Sequence, residues 1–194
     1  MTVLALLVPV AYLLGSIQAA VVVSRLAGLP DPRSSYSGNP GTTNMWRTAG
    51  PGWSSLVLVI DVSRAALVGW LARQSVAPDL VPWVGVVLVL GTIFPVFHGF
   101  RGGKGVATLL GFALATAPWI ITVSALVAWV LVWFSTRQPF LGSLLMATLL
   151  CGGVALRGGG AGWLGAAVTL ALIIARHRAN VLGWLDRSEA PPLE

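Results

Sequence analysis

The run from Leu80 to Ala117, LVPWVGVVLVLGTIFPVFHGFRGGKGVATLLGFALATA, is two apolar segments joined by a basic, glycine-rich link. Neither Leu80 to Phe97 nor Gly105 to Ala117 contains a charged residue, and between them stand Arg101 and Lys104. A helix needs about 20 mostly apolar residues to cross a hydrocarbon core of roughly 30 Å. The first segment reads as one such crossing, and the second as a shorter one that opens in glycines. Outward from this pair, five more apolar runs follow: Thr2 to Val23, Trp53 to Leu71, Pro118 to Phe134, Leu141 to Leu156 and Gly162 to Ala175. The expected fold is all-α, an integral membrane protein whose single domain over residues 1–190 has seven transmembrane helices. Residues 191–194 read as a frayed tail. The first run is expected to be a retained span rather than a cleaved signal, because it lacks a basic leader and an A-x-A site.

Composition agrees. The 194 residues are 56% hydrophobic and 9% charged, with a mean hydropathy of +0.85. A soluble domain carries about 25% charged residues, so this chain cannot clothe a soluble surface. Its net charge of +6 is scattered among apolar runs, which excludes the dense basic stripe of a nucleic-acid binder and leaves the lipid bilayer as partner. The single cysteine, Cys151, excludes an internal disulfide, and two histidines are too few for a histidine-rich metal centre. No cofactor or metal is expected.

Charge also orients the spans. With seven crossings, Arg25, Arg33, Arg47, Arg101, Lys104, Arg137, Arg176, Arg178 and Arg187 share one side, and only Arg73 and Arg157 lie opposite. Positive residues mark the cytoplasmic side, so the N-terminus is expected outside and the C-terminus in the cytoplasm. Arg64 falls inside the second span, three residues after Asp61 and so on the same helix face. That pair reads equally as a functional intramembrane site or as a structural ion pair. Trp53, Trp83, Trp119, Trp133, Trp163 and Trp184 sit near span ends, as interfacial anchors do.

Three polar stretches fall on the side rich in cations. They are Asp31 to Arg47 (DPRSSYSGNPGTTNMWR), His98 to Thr108 (HGFRGGKGVAT) and Arg176 to Asn180 (RHRAN). Each combines fixed cations with small hydroxyl or amide donors, as an anion site requires, and phosphate is the anion of choice. In the second stretch, Gly102, Gly103 and Gly105 permit a nest of converging N–H groups. The start of the following helix adds its partial positive charge, and Arg101 and Lys104 add full ones. This is not a nucleotide-hydrolysing P-loop: Gly99 to Lys104 is one residue too short, and Gly105 stands where a Ser or Thr would hold magnesium.

At these residues the chain resembles the bacterial acyl-phosphate:glycerol-3-phosphate acyltransferases, the PlsY family. Ser37-Gly38-Asn39-Pro40-Gly41-Thr42-Thr43-Asn44-Met45-Trp46-Arg47 matches the family's first motif, Phe94 to Thr108 the second, and Arg176-His177-Arg178-Ala179-Asn180 the third. The likeness covers nearly the whole chain, with Ser143 where the family has a serine between spans five and six and Glu189 as its late glutamate. Three places depart from the pattern. Thr92 follows Gly91 where the family has His, Asp61 is followed by Val-Ser-Arg-Ala without the family's Lys-Gly, and Gly183, Trp184 and Arg187 replace the usual end of the third motif.

The resemblance implies a multi-pass enzyme of the bacterial plasma (inner) membrane with a cytoplasmic active site. Its reaction moves an acyl group from acyl phosphate to the 1-hydroxyl of glycerol 3-phosphate, the first step of phospholipid synthesis. The residues suit that chemistry. Acyl phosphate has a good leaving group and needs no covalent nucleophile, and there is no G-x-S-x-G elbow. Nor is there a His-x4-Asp pair, since Gly103 and Leu182 occupy the fifth places after His98 and His177. On this reading Arg101, Gly102, Gly103, Lys104 and Gly105 hold one phosphate. Ser37, Asn39, Thr43, Asn44 and Arg47 orient substrate around a second, and His177 and Asn180 hold glycerol 3-phosphate, with Ser143 as an added donor. The general base is His177 or a substrate phosphate oxygen. The expected form is a monomer. Two alternatives stand beside the enzyme: a small-anion transporter using the same cations as a vestibule, and a catalytically altered relative.

Overall fold

The computed structural model describes residues 2–189, with the side chains of residues 2 and 187–189 excepted, and it is helical throughout. The helices are α1 (Thr2–Gly15), α2 (Ala19–Leu26), α3 (Thr42–Ala49), α4 (Pro51–Ser75), α5 (Val81–Ile93), α6 (Val106–Thr116), α7 (Trp119–Thr136), α8 (Pro139–Gly158) and α9 (Gly162–Glu189). Prolines set several starts: Pro51, Pro82 and Pro139 occupy first-turn positions, where the missing N–H costs nothing. The expected frayed tail lies outside the described residues, as do the side chains of Arg187 and Glu189.

Not all seven expected spans have full length. Four helical segments are long and apolar enough to cross a membrane, namely Pro51–Ser75, Pro78–His98, Trp119–Thr136 and Pro139–Gly158. The first expected span is broken: α1 and α2 meet at a 52° bend, and they make a fifth crossing only if counted together. The fourth is the 11-residue α6, about 16 Å long at 1.5 Å per residue. The seventh belongs to α9, which runs on without a break through Arg176 to Asn180 to Glu189. Hydropathy alone could not show where a helix continues past its apolar part.

α5 lies at the centre. It packs against α1 on one side and α9 on another, while α4 pairs with α6 and α7 with α8. The α1–α5 contact is backbone on backbone, since a Cβ on Gly91 would stand 2.3 Å from the Tyr12 carbonyl oxygen. Small residues permit such approaches between membrane helices. Phe112, Leu88, Leu150 and Ile173 fill the main core. A second cluster, around fully buried Met45, seats α3 between α2 and α4.

Asp61 and Arg64 form a buried ion pair. Arg64 donates twice to Asp61 Oδ1, at 2.8 and 3.1 Å, and its remaining arm reaches the Leu14 carbonyl at the end of α1. The guanidinium thus serves both the buried carboxylate and a carbonyl beside the break after Gly15. Arg64→Leu leaves Asp61 without its counter-charge and is expected to cost about 3–5 kcal/mol. Replacing both by leucine returns most of that loss. Thermal unfolding in detergent measures both.

Candidate active site

The second polar stretch is tied down before it reaches its lysine. After α5 a single 3-10 turn, Val96–His98, leads into Gly99 and Phe100, both at positive φ (61° and 59°). The chain then doubles back along the end of α5. Gly102 N–H donates to the Ile93 carbonyl at 3.2 Å, and Gly103 N–H to the Thr92 carbonyl at 3.0 Å. Gly102 is required there, because a Cβ would lie 2.0 Å from the Thr92 oxygen.

This pairing corrects the expected nest. The N–H groups of Gly102 and Gly103 are spent on α5 and do not point at a ligand. The free donors lie one step further on: among the described residues, the N–H groups of Lys104, Gly105, Val106 and Ala107 donate to no backbone carbonyl. Gly105, at φ 82°, starts α6, so these groups and the positive helix end converge beside Lys104.

The third stretch meets the second. Arg176 Nη2 donates to the Gly102 carbonyl at 3.0 Å and Nε to the Gly103 carbonyl at 3.4 Å. Lys104 Nζ donates to Asn180 Oδ1. His177 lies one residue past Arg176 and is buried. Its Nδ1 sits 2.8 Å from the Ile173 carbonyl, and a carbonyl only accepts. The ring therefore carries its proton on Nδ1, and in the neutral form Nε2 is left as an acceptor.

The first stretch contributes through α3. Arg47 is exposed on this helix and close enough for its charge to act on Lys104. Asn44, expected to bind substrate, is turned inward. Its amide donates to the carbonyls of Pro32 and Ser35 and shapes the loop before α3, leaving only an oxygen that a phosphate would repel. Ser37 and Thr43 are exposed, and Asn39 is half-buried. Arg101 is exposed beyond the glycines. Ser143 accepts from Trp129 Nε1 at 3.2 Å and donates to the Pro139 carbonyl at 3.0 Å, so it joins α7 to α8. Phe140, one turn earlier, meets Trp184 edge-on at 6.4 Å, which brings this end of α8 to the polar half of α9. Gly183 has open space around it.

Electrostatics mark an anion site. Burial, with the charges of Arg176 and Arg47, lowers the Lys104 ammonium to about 8. Burial pushes the His177 imidazole below its ordinary value, and Lys104 and Arg176 push the same way, against the Ile173 hydrogen bond. Like charges gathered at one place await a counter-ion. The expected consequence is a basic limb: kcat/KM falls as pH rises through about 8, because the free protein then loses the Lys104 charge. Lys104→Arg removes that limb, and a pH–rate series on both proteins tests it.

Sequence reasoning gave no role to three contributors. Arg176 was placed only in the third stretch, yet it holds both glycine carbonyls. Thr92, a departure from the family pattern, is buried and bonds through Oγ1 to Thr108 Oγ1 at 3.0 Å and to the Gly15 carbonyl at 3.2 Å. Gln18, buried at the break between α1 and α2, donates to the Thr92 carbonyl at 3.1 Å. An amide inside an apolar run was the available signal for Gln18.

An all-helical bundle with several span-length helices and a cluster of cations and amides at one place defines a membrane protein with a cationic site. The comparisons narrow that class. Residues 5–186 match the family model described as glycerol-3-phosphate acyltransferase. A glycerol-3-phosphate acyltransferase of Methylobacillus flagellatus is 42% identical over 96% of this chain and 95% of its own. That of Photobacterium profundum is 49% identical over 76% of this chain and 73% of its own. Among solved structures, PlsY, an integral membrane glycerol 3-phosphate acyltransferase, superposes in its glycerol 3-phosphate form with a TM-score of 0.88. It is 34% identical and the match covers 98% of this chain and 95% of that one. Its lysophosphatidic acid form gives a TM-score of 0.84. The chain belongs to the glycerol-3-phosphate acyltransferase family.

Proposed function

We propose that this protein transfers an acyl group from acyl phosphate to the 1-hydroxyl of glycerol 3-phosphate, giving 1-acylglycerol 3-phosphate (lysophosphatidate) and phosphate. The observation that carries this reading is the convergence of Lys104, Arg176, Arg47, His177 and Asn180 beside the open start of α6. Solved relatives bear names that mention both glycerol 3-phosphate and lysophosphatidic acid, the acceptor and product of such a transfer.

Lys104, the start of α6 and Arg101 hold one phosphate. Arg47, Ser37, Asn39 and Thr43 flank the second, and Asn44 keeps their loop in shape. The acceptor hydroxyl lies against His177, whose Nε2 takes its hydrogen bond and then its proton as the oxygen attacks the acyl carbon. The bond between that carbon and the bridging oxygen breaks, and phosphate leaves with the electron pair. Asn180 fixes Lys104 and orients the acceptor, and Ser143 supports the neighbouring wall. Two anchored phosphates supply alignment, and the cations stabilise charge that grows on the leaving group. The acyl chain lies between helices, open to the bilayer.

In the bilayer, α1 with α2, α4, α5, α6, α7, α8 and α9 make seven crossings. The N-terminus is outside and the active site faces the cytoplasm of a bacterial inner membrane, a reading supported by the nine-to-two bias of cations to that side. The acting unit is a monomer.

The test is phosphate release from palmitoyl phosphate by detergent-purified protein, with and without glycerol 3-phosphate, and mass spectrometry of the lipid. Acceptor-dependent release with lysophosphatidate formed is the expected result. Folded protein that releases none refutes the reading.

A further inference from the structure

The break in the first span has a consequence at the phosphate loop. A helix interrupted between Gly15 and Ala19 leaves carbonyls at the end of α1 short of helical partners in an apolar setting, and side chains answer two of them. Arg64 reaches Leu14, which also takes the Ile17 N–H at 3.3 Å, and Thr92 Oγ1 bonds to Gly15. Buried polar groups are costly unless paired, so the interruption is a built feature. Its effect is to carry Gln18 inward.

Gln18 is 2% exposed. Its Nε2 donates to the Thr92 carbonyl at 3.1 Å, the same oxygen that receives Gly103 N–H at 3.0 Å. A carbonyl has two lone pairs, and here both are used. The other end of the amide faces the same glycine, since a Cβ on Gly103 would lie 3.8 Å from Gln18 Oε1. Lys104 follows directly. One side chain therefore secures the strand-like pairing that aims Lys104, from a helix break some 85 residues earlier in the chain.

We infer that Gln18 is a positioning residue for the acyl transfer, holding the Thr92 carbonyl so that Gly103 delivers Lys104 to the substrate phosphate. It touches no substrate and acts through the loop. The inference rests on the acyltransferase reading, and its test has one arm that does not need turnover.

Gln18→Met keeps the volume and removes the donor. The expected result is a roughly tenfold fall in kcat/KM, the size expected when a buried carbonyl loses one of two partners. The change resides in KM for the substrate whose phosphate Lys104 holds and in kcat, with thermal stability close to wild type. Independently of activity, hydrogen–deuterium exchange of the peptide spanning residues 99–108 is faster in Gln18→Met, while peptides from α7 are unchanged. If Gln18→Met does not fold, Gln18→Asn, whose shorter arm withdraws the same donor, takes its place in both arms. Wild-type kinetics together with unaltered exchange in 99–108 overturn the inference. A uniform loss of stability, with equal exchange everywhere, overturns it too by showing a merely structural role. Wild-type protein that makes no lysophosphatidate overturns the reaction assigned above, and with it the link to catalysis. The exchange comparison then still decides whether Gln18 holds the loop.

Discussion

Lys104→Ala is expected to lower kcat/KM for acyl transfer by about 10²–10³-fold while the protein still inserts and folds. The lysine is partly exposed, and among the described residues its ammonium donates to the side chain of Asn180 alone, so its removal opens no large cavity. What disappears is the cation beside the free N–H groups that start α6. Its charge does two jobs: it binds a phosphate in the ground state and meets added charge as the leaving group departs. The loss therefore appears in kcat as well as KM. Lys104→Arg keeps the charge and restores part of the rate, though guanidinium and ammonium place their donors differently. Steady-state kinetics on the three purified proteins, beside their melting curves, decide the matter. Full activity in Lys104→Ala would falsify the assignment.

Two neighbouring glycines are expected to behave in opposite ways. In Gly102→Ala the new methyl carbon would lie 2.0 Å from the Thr92 oxygen and 2.6 Å from Pro95 Cδ. The first is backbone and cannot swing aside, so the pairing with α5 must open and Lys104 moves with it. Overpacking of this kind costs about 1–3 kcal/mol or more, and activity falls by at least the Lys104→Ala factor. In Gly103→Ala the methyl would meet Gln18 Oε1 and Thr92 Cγ2 at 3.8 Å, ordinary contact distances. Stability stays near wild type and activity within a few-fold. Melting temperature and turnover of both variants test the contrast, and equal damage from the two would show that the loop is not held as described.

Much of this molecule was legible in its sequence. Apolar runs with few charges announced the helices, because in lipid a backbone has to satisfy itself. The three polar stretches were recognisable because apolar surroundings make every Arg, Asn and Gly conspicuous. The second and third of them meet, through Lys104 with Asn180 and Arg176 with Gly102, and the first comes near through the charge of Arg47. Span lengths were less legible. α6 is too short and α9 continues far past its apolar half, since a helix ends where its hydrogen bonds end and hydropathy does not record that.

The roles within the site depended on the fold. The family resemblance made Asn44 a ligand, and residue type made the Gly102 and Gly103 N–H groups part of a phosphate nest. The tertiary structure commits all three to the protein's own carbonyls, and it makes Gln18, Thr92 and Arg176 the supports of the loop. Composition and pattern are local and survive in a one-dimensional reading. Which donor meets which acceptor depends on segments separated by up to 82 residues along the chain, so only packing of α1, α5, α6 and α9 could decide it.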